Sequence, residues 1–360
     1  MKKEEILRRF ALMSESDLNE VLTLYRKHLP KTVDGRQVIT IPEHIQRRLS
    51  GIGADAELSR ILKDFPTHLT PVDPPSKALA ERSKAIYEDA CFCFDAIGEL
   101  FVQKVLEYAA TYQTRPLILC GPPGCGKSHR ARVLAKMLGL PYDRIDVPLA
   151  THGPGLAGEG GSYRNASLGI IAKGMVKTQS CNYLLNSEEL DKEERIEEHA
   201  SFADQFLKVL DQDATQFRDN RLGFEIDVSH VVYVFTANDK SKISAPMLDR
   251  CDVVELSAPH KEEVERIVRG AVIPKAMEGV CSDDNITFSQ DAIDFIISSL
   301  WCEEGTSIRQ YENLIARCVS AANYTFICAE HPVVIQVEDA QRQLDRMSVS
   351  TSQERRIGFV

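Results

Sequence analysis

Residues 121–128 read Gly-Pro-Pro-Gly-Cys-Gly-Lys-Ser, a spacing suited to holding phosphate. Gly121, Gly124 and Gly126 let the backbone turn successive N–H groups inward, so that they cradle phosphate oxygens at the start of a helix. Lys127 supplies a cation to the β- and γ-phosphates, and the Ser128 hydroxyl is a ligand for Mg2+. Pro122, Pro123 and Cys125 occupy the variable positions of the loop. The pattern carries weight only between a strand and a helix, and both are present. An apolar run, Pro116-Leu-Ile-Leu-Cys120, leads in, and Arg130–Leu138 has helical spacing behind it. The expected ligands are ATP and Mg2+.

Hydrolysis needs further groups: a carboxylate for the metal and another to polarise the attacking water. Tyr183-Leu-Leu-Asn-Ser-Glu188-Glu189-Leu-Asp-Lys192 is a short apolar strand ending in two carboxylates. Glu188 is expected to hold Mg2+ and Glu189 to act as base. Acidic residues are also favoured at any helix start, so a solvated charged turn is the competing reading. A second strand, Val231–Phe235, runs into Thr236-Ala-Asn238. Asn238 is placed to hold the water, although an Asn after a strand also serves as a turn former.

Such groups must be carried by an open sheet. Apolar runs at Tyr183–Leu185, Val231–Phe235 and Val253–Leu256 alternate with helical stretches, which predicts an α/β fold with a parallel sheet sandwiched by helices. Ahead of it, Ser76–Tyr108 has helical periodicity, and Pro66, Pro71, Pro74 and Pro75 mark a hinge before that. The stretch from Ile6 to Tyr25 is spaced as a helix and ends at Pro30. After Pro259 helices are expected at Lys261–Gly270, at Gln290–Leu300 with Ser289 as N-cap, and at Ser307–Tyr324. A strand, Val333–Val337, and a helix, Glu338–Met347, follow. The expected organisation is an N-terminal mainly helical segment at 1–75, an α/β nucleotide-binding domain at 76–257, a C-terminal helical lid at 258–347 and a mobile polar tail at 348–360.

Composition narrows the alternatives. A formal charge of −10 and a pI near 5.5 give no bulk attraction to nucleic acid. The charged stretch Met1–Phe10 lacks the apolar core of a signal peptide, and no apolar run approaches the roughly 18 residues of a membrane span. Ten cysteines without a CxxC, and nine histidines without an HExxH, point to neither a zinc site nor a disulfide framework. A reducing, cytoplasmic setting is expected.

Taken together, Thr236-Ala-Asn238, Ala245-Pro-Met-Leu-Asp-Arg-Cys-Asp252, Ile273-Pro-Lys275, Phe206-Leu-Lys-Val-Leu-Asp211 with Asp219-Asn220, and Glu189-Leu-Asp-Lys192 closely resemble the AAA+ ATPase module of the Lon protease family. The resemblance runs from roughly Asp95 to Leu344, in the family's order. It implies a P-loop NTPase (AAA+) fold, and it implies that Arg250 is an arginine finger inserted into a neighbouring subunit's nucleotide site. Arg309, in Gly305-Thr-Ser-Ile-Arg309, takes the place of the lid's sensor arginine, with two extra residues after the glycine. The loop from His152 to Gly169 resembles the family's substrate-gripping pore loop, with Tyr163 at the aromatic position.

The chain also departs from the family. Asn186, Ser187 and Glu188 stand where apolar residues and an Asp are usual. Only 13 residues follow Met347, where the family's Ser-Lys protease domain would need about 50 or more. The expected function is therefore an ATP-hydrolysing protein without peptidase activity, assembled as a homo-oligomeric ring, a hexamer being one such size. It would remodel or translocate a macromolecule, with protein favoured by Tyr163. A nucleotide-gated assembly scaffold with slow or no hydrolysis is the alternative, favoured by residues 186–188. A nucleic-acid motor is a third reading, against which the acidic charge argues.

Overall fold

The computed structural model describes residues 36–43, 45, 56–150, 155–160, 166–193, 202–210, 212–278, 285–302, 307–329 and 331–354. It divides into two compact units. Among the described residues the first takes in 36–87, 94–120 and 127–255, and the second 88–93, 121–126 and 256–354.

The strands of the first unit are β1 (Leu117–Cys120), β2 (Tyr142–Asp146), β3 (Leu184–Glu188), a short hairpin of β4 (Phe217–Arg218) and β5 (Glu225–Ile226), β6 (Val232–Ala237) and β7 (Asp252–Glu255). All but the hairpin form one parallel sheet in the order β2-β3-β6-β1-β7. Central strands of such a sheet are covered on both faces and read as unbroken apolar runs. Accordingly, every residue of β1 and β6 is buried. Flanking helices include α1 (Ala56–Lys63), α2 (Lys77–Asp89), α3 (Ala96–Thr111), α4 (Lys127–Leu138), α5 (Ile170–Thr178), α6 (Phe202–Leu210) and α7 (Ala245–Arg250).

Several expectations are corrected here. Ser76–Tyr108 is two helices. The chain leaves α2 with Cys91 at φ 67° and restarts at Asp95, whose carboxylate accepts the N–H groups of Ile97 and Gly98, both at 3.0 Å. Tyr87 meets Phe94 and Phe101 edge-on at this corner, and a Cβ on Gly98 would come within 2.8 Å of the Phe94 ring. The proline-rich stretch is strapped down: Cys181 N–H donates to His68 O at 3.3 Å, and the Asn182 amide accepts from Thr70 N–H at 2.6 Å and donates to Thr70 O at 3.0 Å. β2 was not anticipated, because Tyr-Asp-Arg-Ile-Asp is polar and lies at the sheet edge. Its buried Asp143 pairs with Lys177. The expected helix between Ile6 and Tyr25 lies outside the described residues.

The second unit contains α8 (Lys261–Ile267), α9 (Ile273–Met277), α10 (Gln290–Leu300), α11 (Ile308–Ala329), α12 (Val337–Glu354) and the parallel pair β8 (Ile286–Phe288) and β9 (Val333–Ile335). Val264, Val268, Ile296, Tyr311, Leu314 and Ile315 meet in its core. A single wide π-turn, Val268–Val272, joins α8 to α9. Pro274 has no N–H and its ring would crowd the carbonyl of Gly270 in a regular helix, which the wider turn avoids. Ser289 caps α10 through Ala292 N–H at 3.2 Å. The supposed tail is helical as far as Glu354, since Ser348–Glu354 contains no Gly or Pro to stop it. Among the described residues no helix is long and apolar enough to cross a membrane.

Candidate functional site

The phosphate loop leaves β1 and runs into α4, which begins at Lys127. Gly124 and Gly126 have φ of 84° and 88°, a region open to glycine and avoided by other residues. Two of the glycines also permit close contact within the second unit. A Cβ on Gly121 would lie 2.4 Å from the Leu256 carbonyl oxygen, and one on Gly124 would lie 2.2 Å from Ser307 Oγ. Ser307 immediately precedes α11, whose first turn carries the exposed Arg309. Pro122 and Pro123 are exposed and Cys125 is buried.

In the first unit the sheet register explains which groups meet. Cys120 at the end of β1 pairs with Ala237 at the end of β6, so α4 and Asn238 begin side by side. Lys127 Nζ donates to Asn238 Oδ1 at 2.9 Å. Asn238 is held from behind by its own N–H, which donates to Asp191 Oδ1 at 3.0 Å. Sequence reasoning assigned no role to Asp191; its signal was only that it follows Glu189 by two residues. Ser128 is the second residue of α4 and half-buried.

The two carboxylates are placed differently from one another. Glu188 ends β3, opposite Asp146 of β2, and its side chain is 16% exposed. Asn186, two residues earlier and so on the same face, donates through Nδ2 to Glu188 Oε1 at 3.1 Å and to Tyr142 Oη at 3.0 Å. Arg144 Nη1 approaches Glu188 Oε2 at 3.4 Å. Glu189 turns away from the strand with φ 62°, its N–H donating to Thr236 Oγ1 at 3.4 Å. Its carboxylate accepts from Lys192 Nζ at 2.9 Å, and that bond lifts the Lys192 ammonium above its ordinary pKa. The side chains of Glu189 and Lys127 thus have different partners in this structure.

The donor set suits Mg2+. No group of three or more His, Cys, Asp or Glu able to hold a metal occurs among the described residues. Mg2+ needs no such cage, because it keeps several waters and is bound through one or two protein oxygens together with substrate phosphates. Glu188 and the Ser128 hydroxyl are oxygen donors of that kind.

Arg250 ends α7, and Asp252, two residues on, pairs with Leu117 at the start of β1. It therefore sits at the opposite end of the sheet from Asn238, with β1 between them. Three strand steps of about 3.3 Å make that separation roughly 10 Å before either side chain extends. Arg250 Nη1 donates to Pro246 O at 3.1 Å.

Tyr163 lies outside the described residues, but the segments on either side of it, 155–160 and 166–169, are joined. Glu159 N–H donates to Ser167 O at 2.9 Å and Ile170 N–H to Gly155 O at 3.1 Å. Asn220 donates to Ala157 O at 2.7 Å from its backbone and to Gly158 O at 2.9 Å from its side chain. A Cβ on Gly158, at φ 73°, would come within 2.4 Å of Gly169 N, so glycine is required there.

The parallel sheet, its flanking helices and the glycine loop between β1 and α4 define an α/β P-loop NTPase-like fold. Residues 117–258 match the family described as "ATPase family associated with various cellular activities (AAA)". This AAA+ module is Lon-like: over 210 residues the chain is 32% identical to "Lon protease homolog 2, peroxisomal" of Pichia angusta, covering 58% of this chain and 22% of that protein. It is 31% identical over 252 residues to "Lon protease" of Dictyoglomus thermophilum, covering 67% of this chain and 31% of the relative. It is 27% identical over 341 residues to "Lon protease homolog, mitochondrial" of Schizosaccharomyces pombe, covering 86% and 31%. The chain thus spans less than a third of the length of these relatives.

Proposed function

We propose that the chain is an ATPase that acts as a homo-oligomer, hydrolyses ATP at subunit interfaces and remodels or translocates protein. Lys127 and the loop 121–126 bind the phosphates. Ser128 and Glu188 would hold Mg2+, which when bound would supply positive charge to the phosphates. Glu189, released from Lys192, takes the proton of the attacking water, and Asn238, already on Lys127, orients it. Arg309 serves as the sensor arginine, a role that rests on the similarity to Lon proteases. Arg250 serves the neighbouring subunit's site, and Tyr163 grips the substrate chain, as the similarity to Lon proteases suggests.

The observation that carries this reading is the position of Arg250. A cation at the far end of the sheet from Lys127 and Asn238 is carried away from its own phosphate loop, which supports a role at a neighbour's.

Subunit mixing tests it. Glu189→Gln subunits keep a good Arg250, and Arg250→Ala subunits keep a good Glu189. Each alone should be inactive in phosphate release while still binding ATP, and a co-assembled mixture should recover activity. Co-assembly without recovery would end the shared-site mechanism. The second reading, a nucleotide-gated scaffold, is favoured by the paired state of both carboxylates and by the buried Asn186 and Ser187, whose Oδ1 and Oγ have no hydrogen-bond partner among the described residues. It would be supported if the wild-type protein binds ATP and assembles but releases no phosphate.

A further inference from the structure

α7 is a six-residue helix ending at Arg250, and the carbonyls of its last turn have no partner further along the helix. A side chain from elsewhere in the first unit takes them. Arg115, just ahead of β1, donates from Nε to Arg250 O at 3.2 Å and from Nη2 to Asp249 O. A guanidinium at a helix C-terminus also meets the negative end of the helix dipole. The same Arg115 Nε lies 3.5 Å from Asp252 Oδ1.

Asp252 is itself fixed on two further sides. Its Oδ2 accepts from Lys104 Nζ at 2.8 Å, and its backbone N–H donates to Pro116 O at 2.8 Å. Lys104, with its side chain 3% exposed, also donates to Arg115 O at 2.8 Å. The start of β1, the start of β7 and the buried side of α3 therefore form one rigid base. Arg115 is the side chain that extends from that base to the backbone of Arg250.

We infer that Arg115 is the positioning residue for Arg250, fixing the backbone from which that side chain reaches a second copy of this chain. This rests on the proposal that Arg250 acts across an interface. A fork of two donors onto adjacent carbonyls fixes both the position and the tilt of the helix end, which one ammonium cannot do. A displacement of about 1 Å at a reacting group costs on the order of 100-fold in rate.

The experiment uses full-length Arg115→Gln. Arg115 is 41% exposed at its side chain, so the variant should fold with a modestly lowered melting temperature, and its ATP affinity should match that of the wild type. Its phosphate release should fall by about 100-fold. Mixing then separates a positioning role from a structural one. Arg115→Gln with Glu189→Gln should recover activity, because the first subunit keeps a sound site and the second a sound Arg250. Arg115→Gln with Arg250→Ala should not recover, since both spoil the same half of the interface. Arg115→Lys should lie between the wild type and Arg115→Gln.

Wild-type turnover in Arg115→Gln would overturn the inference. So would failure to recover with Glu189→Gln when the Arg250→Ala and Glu189→Gln mixture does recover. If that reference mixture also fails, the interface reading falls first, and the role of Arg115 falls with it.

Discussion

Replacing Asp219 by alanine should destabilise the first unit by about 3 kcal/mol, on the following grounds. Asp219 is fully buried, and its carboxylate accepts three backbone N–H groups: Oδ1 from Arg221 and Leu222, both at 2.9 Å, and Oδ2 from Gly169 at 2.8 Å. Bonds to a charged group contribute about 1.5 kcal/mol each at the low end, or roughly 4.5 kcal/mol for three. For the ionised carboxyl burial more than offsets this, lifting the pKa above its ordinary value against the pull of the N–H donors, so the net cost of the variant is that of three buried N–H groups left without an acceptor, about 1 kcal/mol each. At roughly 2–4 °C per kcal/mol, the melting transition of the variant should fall by about 6–12 °C. Hydrogen exchange supplies the local readout, with the Gly169, Arg221 and Leu222 amides losing protection together. The pH dependence has a definite sign. A raised folded-state pKa means that wild-type stability gains as pH falls from that pKa towards the ordinary 3.8, and gains no more below it. Asp219→Asn should lack that gain. A loss under about 1 kcal/mol in Asp219→Ala with an unchanged Gly169 amide would refute the reasoning.

Two further perturbations address the nucleotide site. Lys127→Ala should abolish binding of a fluorescent ATP analogue, because it removes the cation of the phosphate loop, whose Nζ donates to Asn238 in this structure; wild-type affinity would remove the phosphate-loop assignment. Arg144→Gln takes a cation away from Glu188, and since that pair is 59% exposed on the arginine side its effect should be small. Mn2+ affinity in the presence of a non-hydrolysable ATP analogue, followed by electron paramagnetic resonance, should tighten about two- to fivefold. Unchanged or weaker Mn2+ binding would show that Arg144 does not compete with the metal for Glu188.

The elements legible in the sequence were those whose burial is uniform. β1 and β6 are covered on both faces and appear as unbroken apolar runs at Leu117–Cys120 and Val232–Ala237. β2 escaped notice because an edge strand needs only one buried face, and its sequence, Tyr-Asp-Arg-Ile-Asp, satisfies that face with an aspartate paired to Lys177. The break between α2 and α3 was equally hidden. Helical spacing persists on both sides of it, while the turn rests on a left-handed Cys91, the Asp95 cap and the room that Gly98 leaves for Phe94.

The site divides along a similar line. Gly124, Gly126, Lys127 and Ser128 stand out by spacing alone, because the loop's pattern is local to eight residues. Asn186 was visible only as a departure from an apolar strand. Its purpose needs the pleat, which turns it to the same face as Glu188, and the neighbouring strand, which brings Tyr142 and Arg144 alongside. Arg250 depends most on topology. Chain order places it after Asn238 and before β7, and nothing in that order fixes where β7 lies. Had β7 joined the sheet antiparallel to β1, its start would lie beside Cys120, and α7 would deliver Arg250 to the phosphate end of its own sheet. Because Asp252 pairs with Leu117 in a parallel register, Arg250 is sent to the other end. Its placement away from its own phosphate loop thus follows from the direction of one four-residue strand.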